Sequence, residues 1–186
     1  MRIIAGTAKG RPLLGPKNAE KIRPTSDRVK ETLFNVLGQW FEAQAVLDLF
    51  AGTGALAFEA LSRGASRAVL VEIDREALAL CRSNAAALGF SAQTEIFAQP
   101  VTRALEQLGK RGSPFDLIFA DPPYALEALA GVVEQVGAAG LLAPGGQLVI
   151  EHSKREEAPE ALGALERTDQ RSFGDTRVSF YAGRVP

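Results

Sequence analysis

The segment Asp121-Pro122-Pro123-Tyr124 has residue types that suit the activation of an amine, and it follows an apolar run typical of a buried strand. The exocyclic amine of a nucleobase is a poor nucleophile because its lone pair is delocalised into the ring. Acceptors on its N–H groups favour a pyramidal nitrogen, whose lone pair can then be aimed at an electrophile. The Asp121 carboxylate and the Pro122 carbonyl can supply two such acceptors. The segment therefore predicts methyl transfer to an exocyclic amine.

The other residues of this segment suit the same chemistry. Pro122 and Pro123 stiffen the loop and offer no competing N–H group, and Tyr124 can stack on a base that has left its helix or loop. Asp121 can take up the proton after in-line transfer. We therefore predict Asp121, Pro122, Pro123 and Tyr124 as catalytic residues. The alternative, an ordinary strand-to-helix turn, does not explain the glycine loop found upstream.

That glycine loop, Gly52-Thr53-Gly54, lies between the first predicted strand and the first predicted helix of the α/β region. It matches the loose pattern G-x-G-x-x-G/A, in which backbone approaches a nucleotide cofactor at a helix N-terminus. The nearby Asp48 carboxylate would repel a pyrophosphate, whereas S-adenosylmethionine (AdoMet) carries a sulfonium and an ammonium group that it would attract. We therefore predict AdoMet as the cofactor, although Asp48 could instead cap the turn.

Further cofactor contacts are predicted at the ends of the next two strands. Glu72 is placed to accept hydrogen bonds from both ribose hydroxyls, a contact that NAD would also make. Gln99 is placed to reach the adenine edge, and Asp74 is predicted to cap the following helix instead. The predicted cofactor-binding residues are Asp48, Phe50, Ala51, Gly52, Gly54, Glu72, Ile73 and Gln99.

Apolar runs alternate with helical patterns from residue 45 onward, which is typical of a parallel sheet covered on both faces. The predicted strands are 45–50, 67–73, 92–97, 115–120 and 146–151, and the predicted helices are 55–63, 75–89, 101–110 and 126–138. Residues 165–173 and 176–183 surround a Gly-Asp turn and predict an antiparallel hairpin at one sheet edge. We expect one α/β domain, residues 41–186, behind an N-terminal extension, residues 1–40.

The extension is predicted to hold a small hairpin of residues 2–5 and 11–14, a loop, and a helix that begins at Ser26 or Asp27. The helix has apolar positions at helical spacing, with Arg28 and Lys30 expected outside the buried stripe: Val29, Leu33, Val36, Leu37 and Trp40. Residues 1–30 carry eight basic and two acidic side chains, although the net charge of the chain is −1. This asymmetry favours a polyanionic partner, with a solvated terminus as the alternative.

Composition excludes several kinds of site. One cysteine and one histidine cannot form a disulfide or a typical zinc site, so we expect no metal. Cys81 lies in a helical pattern and is predicted to be structural. Glu151-His152-Ser153 could suggest a hydrolase, but no Gly-x-Ser-x-Gly motif accompanies it. No apolar stretch is long enough for a membrane span, and we expect a cytoplasmic protein without a signal peptide.

Over nearly its whole length, the chain resembles the RsmD family of bacterial 16S ribosomal RNA guanine-N2 methyltransferases. Asp-Pro-Pro-Tyr is shared with other amino methyltransferases, whereas the N-terminal Arg-Pro-Thr segment singles out this family. The segments that carry the resemblance are Arg2-Ile3-Ile4-Ala5-Gly6, Lys9-Gly10-Arg11, Arg23-Pro24-Thr25 with the residues to Asn35, Gly54-Ala55-Leu56, Glu72-Ile73-Asp74 and Asp121-Pro122-Pro123-Tyr124.

The resemblance implies a Rossmann-like AdoMet-dependent methyltransferase fold, whose seven-stranded, mostly parallel sheet has an antiparallel last strand. It also implies 16S rRNA in an assembled or partly assembled small subunit as substrate, with N2-methylguanosine and S-adenosylhomocysteine (SAH) as products. Asp48, Gly52, Gly54 and Glu72 would hold AdoMet, and Asp121 with Tyr124 would hold the guanine. The residues expected at the RNA are Lys9, Arg11, Arg23 and Arg28 on phosphates, and Thr25 at the base pocket.

Three other hypotheses remain open from the sequence. An N6-adenine DNA methyltransferase would run the same reaction, but no segment is long enough for a separate target-recognition domain. A non-catalytic ribosome-assembly module would not need Asp121 or the glycine loop, and an NAD-dependent dehydrogenase is disfavoured by Asp48. A monomer is the default expectation for an enzyme that docks on a large particle.

Overall fold

The computed structural model describes residues 1–16, 27–122 and 126–184, with side chains at 27, 28, 126–129 and 162 excepted. The chain forms two compact units, Met1–Gln99 and Pro100–Pro186. No helix in the described ranges combines the length and apolar character needed to cross a membrane.

The first unit contains three parallel strands in the spatial order β3 (Thr94–Ala98), β2 (Arg67–Glu72) and β1 (Ala45–Leu49). All five residues of the central sequence Ala45–Leu49 are buried, which explains why this strand is apolar almost throughout. Its elements are α1 (Asp27–Leu37), β1 (Ala45–Leu49), α2 (Ala55–Ser62), β2 (Arg67–Glu72), α3 (Arg75–Leu88), a 3-10 turn (Ser91–Gln93) and β3 (Thr94–Ala98).

Helix α3 has the ends that its sequence predicts. The Asp74 carboxylate accepts a hydrogen bond from the Ala77 N–H at 2.9 Å, which satisfies one of the unpaired amides of the first turn. Gly89 follows the last turn with φ 81°, a left-handed conformation that glycine adopts at little cost. The predicted N-cap role of Asp74 is therefore confirmed.

The N-terminal hairpin is present as a short antiparallel pairing centred on a bridge between Arg2 and Pro12. Its turn rests on α2, because the Thr7 N–H donates to the Ser62 carbonyl at 2.7 Å. Gly6 has φ 82°, and a Cβ atom there would lie 1.8 Å from the Ser62 carbonyl oxygen. Only glycine therefore allows the turn to approach α2 this closely.

Helix α1 departs from its predicted pattern. Leu33 is buried, but Val36 is exposed, and Trp40 lies beyond the helix end with 67% of its surface exposed. The expectation that Lys30 lies outside the buried stripe is wrong, since Lys30 is fully buried. Its ammonium group lies 3.8 Å from a Glu59 carboxylate oxygen and donates to the Arg2 carbonyl, so a charge partner replaces water.

The second unit contains five strands in the spatial order β4 (Phe115–Ala120), β5 (Leu142–Ser153), β8 (Thr176–Gly183), β7 (Leu165–Phe173) and β6 (Ala161–Leu162). Strands β4 and β5 are parallel, whereas β8 is antiparallel to both β5 and β7. The predicted hairpin of 165–173 and 176–183 is confirmed, and the two-residue β6 adds to its edge. The elements are α4 (Val101–Arg111), β4 (Phe115–Ala120), α5 (Leu126–Ala138), β5 (Leu142–Ser153), β6 (Ala161–Leu162), β7 (Leu165–Phe173) and β8 (Thr176–Gly183).

Candidate active site

The glycine loop between β1 and α2 has a tightly constrained backbone. Phe50 adopts a φ of 64°, which is uncommon for a residue with a side chain and stores local strain. Gly54 has φ 79°, and a Cβ atom there would lie 2.3 Å from the Phe58 ring. The loop is thus shaped by residues that either require glycine or hold a strained conformation, as is common at ligand sites.

The Glu72 carboxylate at the end of β2 fixes one side of this loop. Its Oε2 atom accepts a hydrogen bond from the Gly52 N–H at 2.8 Å. Its Oε1 atom accepts from the N–H groups of Ile73 at 2.7 Å and Asp74 at 2.8 Å. A carboxylate has about four lone-pair sites. The oriented group therefore retains acceptor capacity for ligand hydroxyls.

Ile73, which follows Glu72, is 65% exposed. An exposed branched apolar side chain beside an oriented carboxylate offers one apolar and one polar contact to the same ligand. A nucleoside has both an apolar ring face and ribose hydroxyls. The pair is thus chemically suited to a nucleoside, which is the use predicted for both residues.

Asp48 is only 4% exposed, and its Oδ2 atom accepts from the Ala57 N–H at 3.3 Å. The capping alternative considered for this residue is therefore present, since the carboxylate lies against the first turn of α2 and stabilises its positive end. This contact does not test the predicted attraction of a cationic cofactor. That role stays a prediction.

The opposite side of the glycine loop is held by α3. The Cys81 thiol donates to the Gly52 carbonyl at 3.0 Å, and the Asn84 amide donates to the Thr53 carbonyl, also at 3.0 Å. Burial, with the nearby Asp48 carboxylate, raises the pKa of the Cys81 thiol to about 12, so the thiol remains protonated. Sequence reasoning predicted a structural Cys81 but missed Asn84. A polar residue one turn after Cys81 was the available signal.

A buried charge cluster on α2, also missed from the sequence, anchors the N-terminal segment. The Glu59 carboxylate accepts from the backbone N–H groups of Ile4 at 2.8 Å and Ala5 at 3.0 Å. Arg63 Nε lies 2.9 Å from Glu59, and the Arg63 guanidinium stacks over the Phe34 ring at 4.6 Å. Every oxygen of the buried carboxylate is thus partnered, which offsets its loss of hydration.

The predicted RNA-binding residues have different environments. The side chains of Lys9 and Arg11 are exposed. The Arg11 guanidinium donates to the Leu88 carbonyl at 3.3 Å and to the Ala87 carbonyl, and so caps the end of α3. Arg23 and Thr25 lie outside the described residues, as does the side chain of Arg28.

Asp121 and Pro122 follow β4 directly, at the carboxyl end of a strand that is parallel to β5. Asp121 is half-buried and Pro122 is buried, while Pro123 and Tyr124 lie outside the described residues. Ligands bind at the carboxyl ends of strands in open α/β sheets. Gln99 is half-buried and follows β3 in the same manner.

His152 is buried, and its side-chain contacts are structural. One ring nitrogen, Nε2, lies 2.9 Å from Ser179 Oγ, and Nδ1 lies 3.0 Å from the Ser153 carbonyl. Desolvation by burial lowers the pKa of His152 below its ordinary value. Nδ1–H therefore donates to the carbonyl, and Nε2 accepts from the serine. These contacts tie β5 to β8.

Two other findings concern the described residues outside these groups. A groove of about 670 Å³ lies between α4 and α5, lined by residues such as Leu105 and Gln135, and contains none of the predicted site residues. No cluster of three metal-ligating side chains occurs in the described ranges.

The strand arrangement, the glycine loop after β1 and the antiparallel β8 define the Rossmann-like fold of AdoMet-dependent methyltransferases. The solved structure of yhhF from Escherichia coli matches with a TM-score of 0.85 at 32% identity, covering 97% of this chain and 96% of that one. The structure of SMU.776, solved in complex with SAH, matches with a TM-score of 0.67 at 18% identity. The match covers 83% of this chain and 48% of that one. The predicted fold class is confirmed.

Sequence comparison gives the family. The family described as Conserved hypothetical protein 95 matches residues 1–182. YlbH from Bacillus subtilis is 37% identical over 184 residues, 99% of this chain and 100% of YlbH. Ribosomal RNA small subunit methyltransferase D from Escherichia coli is 35% identical over 159 residues, 86% of this chain and 78% of that protein. The chain belongs to this family, the RsmD/YlbH methyltransferases.

Proposed function

We propose that this protein transfers a methyl group from AdoMet to the exocyclic N2 of a guanine in 16S rRNA of the small ribosomal subunit. The observation that carries the proposal is the Glu72 carboxylate, oriented by the backbone amides of Gly52, Ile73 and Asp74 beside a glycine loop. The name of the Escherichia coli relative, a small subunit rRNA methyltransferase, supports the substrate class.

In the proposed complex, AdoMet lies on the glycine loop of the first unit. Glu72 accepts hydrogen bonds from the ribose hydroxyls, Ile73 packs on the adenine, and the negative charge of Asp48 attracts the cationic amino-acid end. The cofactor also contacts the loop backbone at Phe50, Ala51, Gly52 and Gly54. Gln99 contacts the edge of the adenine. The contacts that fix Glu72 before the ligand arrives favour binding, because less conformational freedom is lost.

In the proposed reaction, the guanine amine donates its N–H groups to the Asp121 carboxylate and the Pro122 carbonyl. The nitrogen attacks the AdoMet methyl carbon; an N–C bond forms, the S–C bond breaks, and SAH leaves. Asp121 takes the amine proton, Pro123 stiffens the loop, and Tyr124 stacks on the guanine. The rate gain comes mainly from positioning and from acceptors directed at the positive charge that develops on nitrogen.

The proposed RNA contacts come from the basic N-terminal region. Lys9, Arg11, Arg23 and Arg28 would contact phosphates, which position an RNA without reading its sequence, and Thr25 would shape the base pocket. The contacts of Arg11 with α3 are compatible with this role, since a guanidinium group has five N–H donors.

The test uses purified protein, AdoMet labelled in its methyl group, and small subunits that lack the modification. We expect transfer to 16S rRNA, and N2-methylguanosine in the digested product. Asp121→Ala should lower kcat by about 10²- to 10⁴-fold while SAH still binds in calorimetry. Asp121→Asn, which keeps one acceptor oxygen, should retain more activity than Asp121→Ala.

Absence of methyl transfer to small subunits would overturn the proposal, and so would either of two further outcomes. One is equal methylation of duplex DNA, which would favour the N6-adenine alternative. The other is calorimetric binding of NAD but not of SAH, which would favour a dehydrogenase. Full activity in Asp121→Ala would remove that residue alone from the reaction.

A further inference from the structure

The buried side chain of Asn84 joins the glycine loop to the N-terminal segment, defined here as residues 1–16. A second contact between them runs from Thr53 Oγ1 to Met1 Sδ at 3.8 Å. Asn84 lies on α3 and is 1% exposed. Its Oδ1 atom accepts from the Leu14 N–H at 2.8 Å, and its Nδ2 atom donates to the Leu14 carbonyl at 3.1 Å. The same Nδ2 atom donates to the Thr53 carbonyl at 3.0 Å. The amide thus pairs with both backbone groups of Leu14 and with one of the loop.

Cys81 and Asn84 lie one turn apart on α3 and hold consecutive carbonyls of the loop. The Cys81 thiol donates a hydrogen bond to the Gly52 carbonyl of the loop, whereas the Asn84 amide bonds both the loop and the N-terminal segment. A shift of Leu14 therefore strains the Thr53 contact, because both bonds use the same planar amide. An unpaired buried amide is costly, so the two backbone segments are held in one arrangement together.

Leu14 belongs to the same segment as the exposed Lys9 and Arg11, which are proposed to contact phosphates. A polyanion held by these two cations would restrict the backbone that leads to Leu14. The neighbouring Arg11 contacts the Leu88 and Ala87 carbonyls, so the segment is attached to the same helix at a second point. Helix α3 therefore connects the segment proposed to meet RNA with the loop proposed to hold AdoMet.

We propose that Asn84 is a positioning residue that couples RNA binding at the N-terminal segment to AdoMet binding at the glycine loop. The inference rests on the proposed function, because both ligands come from it. Each ligand stabilises one of the two backbone segments that Asn84 joins. By linkage, each then raises the affinity for the other by the same factor, typically about 5- to 150-fold.

The chain offers two matched control variants. Ser62→Ala removes contacts with the N-terminal segment alone, since Ser62 Oγ donates to the Ala5 carbonyl at 2.6 Å and accepts from the Ala8 N–H at 2.9 Å. Cys81→Ala removes a contact with the loop alone. Both residues are buried. Ser62→Ala loses two side-chain hydrogen bonds and Cys81→Ala loses one, against three in Asn84→Ala. A general loss of stability would therefore affect all three variants.

The first experiment measures the KM for AdoMet at low and at saturating concentrations of unmodified small subunits. In the wild type, we expect saturating subunits to lower this KM by about fivefold or more. In Asn84→Ala the two values should agree within about twofold, with kcat at saturation of both substrates largely retained. Ser62→Ala and Cys81→Ala should keep the wild-type ratio. The inference would be overturned if the ratio of the two KM values were the same in Asn84→Ala as in the wild type. It would also be overturned if the KM of the wild type did not depend on the subunit concentration.

A second experiment does not depend on methyl transfer. Amide hydrogen exchange should accelerate together in peptides that contain residues 8–15 and 50–57 in Asn84→Ala, but only in the first peptide in Ser62→Ala. An unchanged exchange rate of either peptide in Asn84→Ala would refute the inference, because Asn84 would then not hold both segments. If Asn84→Ala does not fold, Asn84→Ser, whose hydroxyl is too short to reach both segments, replaces it. A wild type that neither binds SAH nor methylates subunits would instead refute the proposed function.

Discussion

Glu72, in the candidate site, and His152, outside it, each depend on a few immediate hydrogen-bond partners. The Glu72 oxygens accept three backbone N–H groups, an arrangement that only a carboxylate satisfies in full. His152 has partners at both ring nitrogens, and its burial lowers the pKa and so favours the neutral ring. Both residues can therefore be tested by near-isosteric changes.

Glu72→Gln should weaken both the loop and the cofactor site. The amide NH₂ would face backbone N–H donors, and a repelled or unsatisfied group costs about 1–3 kcal/mol. We expect a lower free energy of unfolding in urea and an affinity for SAH at least about tenfold lower by calorimetry. Glu76→Gln is the control, because Glu76 lies exposed on the first turn of α3. Equal affinities in both variants would contradict the cofactor role of Glu72.

His152 should make stability depend on pH. Its native pKa is lowered from 6.5, mainly because burial disfavours the charged ring. The unfolded chain therefore binds more protons between the two pKa values, so the contribution to stability is present above pH 6.5 and is lost as the pH falls through the native pKa. The difference in unfolding free energy between wild type and His152→Gln should decrease as the pH falls below 6.5. A difference that stays constant on acidification from neutral pH would show that the native ring titrates normally.

At the scale of elements, buried polar contacts join the N-terminal hairpin and α1 to α2. Glu59 accepts from the hairpin backbone and lies near Lys30 of α1 and Arg63 of its own helix. Ser62 bonds the hairpin one turn further on. The region predicted as an N-terminal extension thus shares a buried polar interface with α2, the helix that follows the glycine loop.

Alanine substitutions at two glycines of the hairpin distinguish the cost of close packing from the cost of backbone strain. Gly6 and Gly10 have φ values of 82° and 80°, but a Cβ atom would meet the Ser62 carbonyl only at Gly6. Gly10→Ala should cost about 1–2 kcal/mol, as expected for a left-handed alanine, and Gly6→Ala should cost at least about 1–3 kcal/mol more because backbone must move. Urea denaturation of the two variants measures the difference. Equal destabilisation would show that the turn does not pack on α2 in solution.

At the scale of the whole molecule, charge is distributed unevenly along the chain. Residues 1–30 carry eight of the 21 basic side chains and only two of the 22 acidic ones. One of the eight, Lys30, is buried against Glu59 and is not available to a partner. Binding of a polyanion should therefore depend on the remaining cations and on salt.

Replacing Arg11 and Arg23 by alanine should weaken RNA binding and reduce its salt dependence. For each phosphate that is no longer neutralised, the slope of log affinity against log salt should fall by about 0.7–0.9. Filter binding at several salt concentrations measures the slope, and circular dichroism checks that α3 survives without its Arg11 cap. Arg155→Ala, an exposed cation of the second unit, should leave the slope unchanged. An unchanged slope in the double variant would remove both arginines from the interface.

The sequence by itself determined most of the fold, because the main signals are local. Buried parallel strands must be apolar throughout, and turns need glycine, so 115–120 and the hairpin of 165–173 and 176–183 were predicted at their observed bounds. Strand β3 begins later than predicted because Ser91–Gln93 forms a 3-10 turn. The N-cap role of Asp74 was also predictable, since its hydrogen-bond partner Ala77 lies only three residues away.

Only the tertiary structure decided how residues far apart in sequence satisfy one another. Lys30 is buried because Glu59 lies beside it, and Asn84 matters because Leu14 and Thr53 meet at one amide. Trp40 is exposed because α1 ends at Leu37, although its spacing fits the apolar stripe. Burial of a polar group depends on partners that no local pattern specifies. The residues that position the proposed site were therefore harder to predict than those proposed to do its chemistry.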